Sequence, residues 1–283
     1  MNIDSHMHFW RYNRQEYDWI DETMRSLQRD FLPPEAAAVM RGAGIDACVA
    51  VQARQTIEET RFLLELAARH PFIGGVVGWV DLRAADLDDR LAELSSHRKL
   101  VGLRHIVQAE RDDFLLREDF RRGAARIERY GFAYDILVYA RQLPAAIDFA
   151  AALPAARLVL DHLGKPDIRG AGFDAWRRDL DRLAKLRHVR AKLSGLVTEA
   201  DWGTWSVEDI HRYIHAALDS FGADRLMIGS DWPVCTVAAA YSQVIDLVRS
   251  AIADRTASER AAVMGGTARA FWNLSFVPVE RSI

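Results

Sequence analysis

Short apolar runs alternate with longer helical stretches along the whole of the 283-residue chain, and eight of the runs read as strands. The expected strands are Ile3–Phe9, Ala47–Gln52, Gly74–Val80, Val101–Ile106, Ala133–Val138, Arg157–His162, Arg190–Leu193 and Leu226–Ser230. A β-then-α order repeated in this way demands a parallel sheet, because parallel neighbours are joined only by crossovers of about a dozen residues or more. Eight such units close into a barrel. An open doubly wound sheet is the alternative, but no GxGxxG follows the first strand. The expected fold is therefore of the α/β class: a TIM (β/α)₈ barrel forming a single domain over residues 1–283. That length is close to the roughly 250 residues such a barrel takes.

The connecting stretches carry helix signals of their own. Pro33 and Pro34 open a helix that Gly42 and Gly44 close. Thr56, with Glu59 three residues on, predicts a capping box ahead of Phe62, Leu63, Leu66 and Ala67. Further helices are expected from Arg117 to Gly131, after Gln142, Phe173, Ser206 and Val237, and from Ser258 onward. The connection 10–32 is long for a link after a strand and holds Trp10, Tyr12, Tyr17, Trp19 and Phe31. At the C-terminal end of strand one it covers the barrel mouth, either as a packing layer or as a substrate lid.

Composition excludes several classes of function. The formal net charge is −3, with acids and bases interspersed, so no field draws nucleic acid or an acidic membrane surface. No apolar run reaches the roughly 18 residues of a membrane helix. Met1-Asn2-Ile3-Asp4 leads straight into a strand, without the basic and apolar regions of a secretion signal. Cys48 and Cys235, the two cysteines, sit far apart in apolar strand contexts, so a disulfide framework is not expected. The expected address is the cytoplasm, and the expected partner is a small molecule.

Chemistry in a barrel of this kind sits at the C-terminal ends of the strands. There the sequence interrupts apolar runs with polar residues: His6-Met7-His8, Arg104-His105, Asp161-His162, Lys192-Leu193-Ser194 and Ser230-Asp231. Alternate residues of a strand share a face, so His6 and His8 point together into the barrel. An unpaired buried charge costs several kcal/mol, and one shared polar pocket accounts for all of these residues at once. The same alternation turns Asp161 away from the pocket, and sets His105 opposite Arg104 unless the strand is irregular. His211 and His215 have a zinc-ligand spacing, but no Glu follows His211 and their helix belongs to the outer ring. His70, His97 and His188 read as solvated.

The ordered set of motifs resembles the amidohydrolase superfamily. It comprises Ile3-Asp4-Ser5-His6-Met7-His8-Phe9-Trp10, Gly102-Leu103-Arg104-His105, Asp161-His162-Leu163-Gly164-Lys165-Pro166, Lys192-Leu193-Ser194-Gly195-Leu196 and Gly229-Ser230-Asp231-Trp232-Pro233-Val234. Within the superfamily it is similar to the sugar lactonase branch, to which 2-pyrone-4,6-dicarboxylate lactonases are related. The resemblance spans nearly the whole chain and implies hydrolysis of an aldonic-acid lactone, with L-fuconolactone the first choice. On that reading Asp231 is the general base and His6, His8 and His162 face the carbonyl oxygen. Arg104 supplies fixed positive charge, and His105, Lys192, Arg54, Trp10 and Trp202 are candidates for binding substrate.

The metal pattern departs from the binuclear members, which add a bridging Lys or Glu on strand four and a His on strand five. Here strand four offers Arg104 and His105, and Phe132–Val138 contains no His, so two metals are not expected. One zinc on His6, His8 and Asp231 suits the ligand types, while the branch implies that catalysis requires no cofactor. The rivals are a zinc-dependent decarboxylase of the same superfamily and a pyrone-dicarboxylate lactonase drawing on Arg54, Arg104 and Arg111. A barrel that only binds a sugar acid would not need so many ionisable groups at one end.

Overall fold

The computed structural model describes residues 1–170 and 172–276. The single domain expected over 1–283 runs on into residues 277–283, which lie outside the described residues. All eight expected strands are present: β1 (Ile3–Met7), β2 (Ala47–Val51), β3 (Ile73–Gly78), β4 (Leu100–His105), β5 (Ala133–Ile136), β6 (Leu158–Leu160), β7 (Val189–Leu193) and β8 (Leu226–Ile228). They form one parallel sheet in sequence order. The sheet closes just past β8, where Met7 bridges to Trp232. There the Asp231 N–H donates to the His6 carbonyl at 2.8 Å, and the His8 N–H donates to the Trp232 carbonyl at 2.7 Å. Barrel closure thus draws the end of the last strand against the histidines of the first.

The helices begin and end largely where the signals place them. Pro33–Gly42 starts on the two prolines and is followed by Gly44 at φ +62°, a conformation that suits glycine. Ile57–Arg69 starts on Thr56, whose hydroxyl accepts the Glu59 N–H at 3.1 Å. The expected capping box is only half formed, because the Glu59 carboxylate turns to the N–H groups of Ala53 and Arg54 instead. Glu118–Ile127 is shorter than expected, since a 3₁₀ turn over Glu128–Tyr130 brings the chain to Gly131 at φ +81°. Leu143–Ala152, Phe173–Ala184, Val207–Phe221 and Tyr241–Ala251 bury apolar faces against the sheet. No helix among the described residues is long and apolar enough to cross a membrane.

Two apolar layers result. One lies between sheet and helices. The other fills the bottom of the barrel, where Ile3, Val49, Val77, Val101, Ala133, Val159 and Met227 meet Phe271, Trp272 and Leu274 from the end of the chain. Above this floor the interior turns polar. The connection 10–32 folds on itself: Trp10 and Phe31 exchange backbone hydrogen bonds of 3.0 and 2.9 Å, and the Trp10 ring packs on Tyr17, Trp19 and Phe31.

Candidate active site

His6 and His8 leave β1 on one face, and their Nε2 atoms approach to 3.2 Å. Asp231 follows β8 in a left-handed conformation at φ +60°, and its carboxylate meets the histidines. Its Oδ1 lies 3.2 Å from His8 Nε2, 3.7 Å from His6 Nε2 and 3.9 Å from His162 Nε2. His162 comes from the turn after β6, and its Nδ1 meets the Ser194 hydroxyl at 2.8 Å. Buried Asp4 holds the two ends of the barrel seam together. It accepts the N–H groups of His6 and Ser230 at 3.1 and 2.9 Å and the Tyr241 hydroxyl at 3.1 Å. Burial pushes its carboxyl up to about 6.

Hydrogen bonding fixes one proton of His8. Its Nδ1 lies 2.7 Å from the Val51 carbonyl oxygen, which can only accept, so Nδ1 carries a proton and Nε2 faces Asp231. Burial lowers His162 to about 4 and, with Lys192 beside it, takes His6 well below the usual imidazole range, so both rings are neutral at pH 7. Burial alone would raise Asp231, but the imidazoles of His162, His8 and His6 outweigh it and hold the carboxyl below its ordinary range. The result is an ionised carboxylate faced only by imidazoles.

Beneath this cluster lies a fully buried ionic layer. Lys192 Nζ contacts Asp135 Oδ2 at 2.5 Å and Asp161 Oδ1 at 2.9 Å. Arg104 Nη1 donates to Asp161 Oδ2 at 3.0 Å, and its Nη2 donates to the Gln52 carbonyl. Lys192 and Arg104 therefore pair with Asp135 and Asp161, while among the described residues no lysine or arginine pairs with Asp231.

One sequence expectation needs correction here. Asp161 does not face away; it is 0% exposed and sits between Arg104, Lys192 and His6. β6 ends at Leu160 and the chain enters left-handed turns at His162 and Leu163, so strand alternation no longer applies. Lys192 is also 0% exposed, and its ammonium is engaged by Asp135 and Asp161. Arg104 borders the pocket, but its Nη atoms are committed to protein partners. His105 lies outside the cluster, stacked on Phe114 at 4.9 Å with Nε2 at 3.1 Å from Glu110. Trp10 is enclosed behind His8, with its Nε1–H donated to the Arg29 carbonyl. Arg54 pairs with Glu16 at 2.7 Å over the Tyr17 ring, and Arg111 pairs with Asp113.

Other residues sit apart from the cluster. Trp202 lines a mouth-side cavity of about 370 Å³ with Thr23, Arg169, Asp201 and Gly203. A cleft of about 450 Å³ is lined by Arg83, Glu110, Arg111 and Phe114, the last of which stacks on His105. His188, read as solvated, is part-buried with its Nε2 3.1 Å from the Ala150 carbonyl, and the Nε2 atoms of His211 and His215 likewise meet helix carbonyls. The unforeseen members of the site are Gln52 and Asp135. Ser194, part of the strand-seven motif, shares a strand face with Lys192.

The donor set also fits one divalent ion. His6 Nε2, His8 Nε2 and Asp231 Oδ1 are separated by 3.2, 3.2 and 3.7 Å. Ligands on a tetrahedral zinc, with bonds near 2.0–2.1 Å, stand roughly 3.3 Å apart.

A family model described as amidohydrolase matches residues 3–274. The chain is 48% identical over 282 residues to an L-fucono-1,5-lactonase of Burkholderia multivorans, covering 95% of this chain and 94% of that protein. It is 37% identical to an L-fucono-1,5-lactonase of Burkholderia ambifaria, covering 83% and 81%. Among solved structures, an amidohydrolase of Burkholderia multivorans with bound zinc superposes with a TM-score of 0.94 at 46% identity, covering 97% of this chain and 100% of that one. A second crystal form described in the same terms holds HEPES, at the same TM-score and identity.

Proposed function

The chain belongs to the amidohydrolase family, and from that premise we propose that it hydrolyses a sugar-acid lactone, L-fucono-1,5-lactone or a close relative, to the open-chain acid. The observation that carries the reading is the ionised Asp231 carboxylate, buried among three imidazoles and left unpaired by the ionic layer beneath it. The likeness to two L-fucono-1,5-lactonases supports the choice of substrate.

Lactone opening requires a base for water, a donor at the carbonyl oxygen and a proton for the departing oxygen. Asp231 takes a proton from water as the water oxygen attacks the carbonyl carbon. His162 is neutral, and its Nε2–H donates to the developing oxyanion when the Ser194 hydroxyl donates to Nδ1. The tetrahedral centre then collapses, the bond between acyl carbon and ring oxygen breaks, and the proton held by Asp231 passes to that oxygen. The acid product ionises and releases one proton to solvent. Arg104 contributes charge through the wall of the pocket.

A zinc ion on His6, His8 and Asp231 would add positive charge near the carbonyl oxygen. The proposed chemistry does not require it, since base and donor are both protein groups.

A panel of aldonolactones, 2-pyrone-4,6-dicarboxylate and aromatic carboxylic acids, read by proton release and by carbon dioxide evolution, tests the assignment. Turnover confined to sugar lactones is the expected result. Carbon dioxide from an aromatic acid would replace the lactonase with a decarboxylase.

A further inference from the structure

The turn that presents His162 also presents a lysine. His162, Leu163, Gly164 and Lys165 all take positive φ, with Lys165 at +46°. Glycine adopts that conformation freely and lysine only at a cost, so a lysine in this place directs attention to its side chain. Lys165 Nζ lies 3.3 Å from Glu199 Oε1 and 5.3 Å from the Tyr139 ring centroid. Glu199 ends the short helix Leu196–Glu199, which starts directly after Ser194 and Gly195. Tyr139 follows β5. The segments after β5, β6 and β7 thus bring the three side chains together at the end of the barrel where chemistry sits.

Burial sets this ion pair apart from the one beneath the histidines. Lys192 and its two carboxylates are sealed from solvent. Lys165 and Glu199 keep 15% and 18% of their side-chain surface exposed, so they are shielded from bulk water and still open to a small solute. Burial lowers the His162 imidazole to about 4 and the Lys165 ammonium adds to that, so its charge is felt at the ring that faces the carbonyl oxygen in the proposed reaction.

We propose that Lys165 and Glu199 form a specificity-determining pair that holds the ring hydroxyls of the lactone beside His162. A hydroxyl both donates and accepts, an ammonium offers three donors and a carboxylate only accepts. The pair therefore satisfies adjacent hydroxyls from both sides, and in the empty site each member satisfies the other. A lactone without hydroxyls gains nothing from these groups. The pair thus sorts polyhydroxylated lactones from bare cyclic esters. The inference rests on the lactonase reading and adds to it the part of the substrate that is recognised.

The test compares L-fucono-1,5-lactone with δ-valerolactone, which has the same six-membered ring without hydroxyls. Proton release is measured for wild type, Lys165→Met and Glu199→Gln. On L-fucono-1,5-lactone each variant should lose at least about tenfold in kcat/KM, chiefly through a higher KM, and on δ-valerolactone no more than about threefold. If δ-valerolactone turns over too slowly to follow, its inhibition constant against L-fucono-1,5-lactone replaces it in the comparison. Equal losses on the two lactones would mean that the pair only shapes the turn carrying His162, and would overturn the proposal. An unchanged KM for L-fucono-1,5-lactone in the folded variants overturns it as well. Glu199→Gln keeps the shape of the side chain and decides the matter if Lys165→Met does not fold. A wild type inert toward both lactones is a separate outcome, which defeats the lactonase reading and this inference with it.

Discussion

Asp231 is buried among imidazoles that keep it ionised, the form in which a carboxylate can accept a proton from water held nearby. Asp231→Asn keeps the shape and removes the base. The expected outcome is a fall in kcat of about 10²–10⁴ with the thermal transition retained, measured by proton release from a sugar lactone. Ser194→Ala leaves His162 Nδ1 without its hydroxyl partner. It should lower kcat by about tenfold with KM little changed, because one charge-linked hydrogen bond of roughly 1.4 kcal/mol is lost in the transition state alone. Residue by residue, the sequence made His6, His8, His162 and Asp231 legible through polar residues at strand ends. It misjudged the direction of Asp161, because β6 ends before that residue and strand alternation no longer applies there. Lys192 pairs with both Asp135 and Asp161.

The turns after β6, β7 and β8 place the working side chains. His162 and Asp231 adopt positive φ, and so does Gly195 at +64°. A Cβ on Gly195 would stand 2.5 Å from His162 Nδ1, so Gly195→Ala must both strain the backbone and displace that imidazole. The expected cost is about 1–3 kcal/mol of stability, read as a lower Tm, together with a larger loss of kcat than Ser194→Ala gives. Glu59 ties three elements together: the helix Ile57–Arg69, the segment after β2 through the N–H groups of Ala53 and Arg54, and the connection 10–32 through the Tyr17 hydroxyl. Burial raises its carboxyl to about 7 from an ordinary 4.5. A raised carboxyl pKa contributes stability at low pH that is lost as pH climbs through the folded value. Glu59→Gln should therefore flatten part of the fall in Tm between about pH 4.5 and 7, and an unaltered slope would contradict this. Strand existence was readable because short apolar runs between helical stretches need only local sequence. Strand ends were not, since β6 and β8 stop early to make left-handed turns that strand alternation does not describe.

At the scale of the whole molecule the barrel is a stack: an apolar floor closed by Trp272, an ionic layer of Lys192, Asp135, Asp161 and Arg104, and the imidazole–carboxylate cluster at the mouth. Lys192 links the layers, since its ammonium lies 5.1 Å from the Trp272 ring centroid and 3.2 Å from His6. The barrel itself was readable from the eightfold alternation and the missing GxGxxG, because parallel strands with helical crossovers have few ways to bury both faces, whereas its ionic layer was not. The central claim is that this stack hydrolyses a sugar lactone with Asp231 as its base. The direct test is steady-state proton release from L-fucono-1,5-lactone by chelator-treated wild type and by Asp231→Asn. The account predicts that the treated wild type turns over without added metal and that the variant loses at least about a hundredfold in kcat. Hydrolysis at the uncatalysed rate in the wild type, or equal rates in the two proteins, would contradict it.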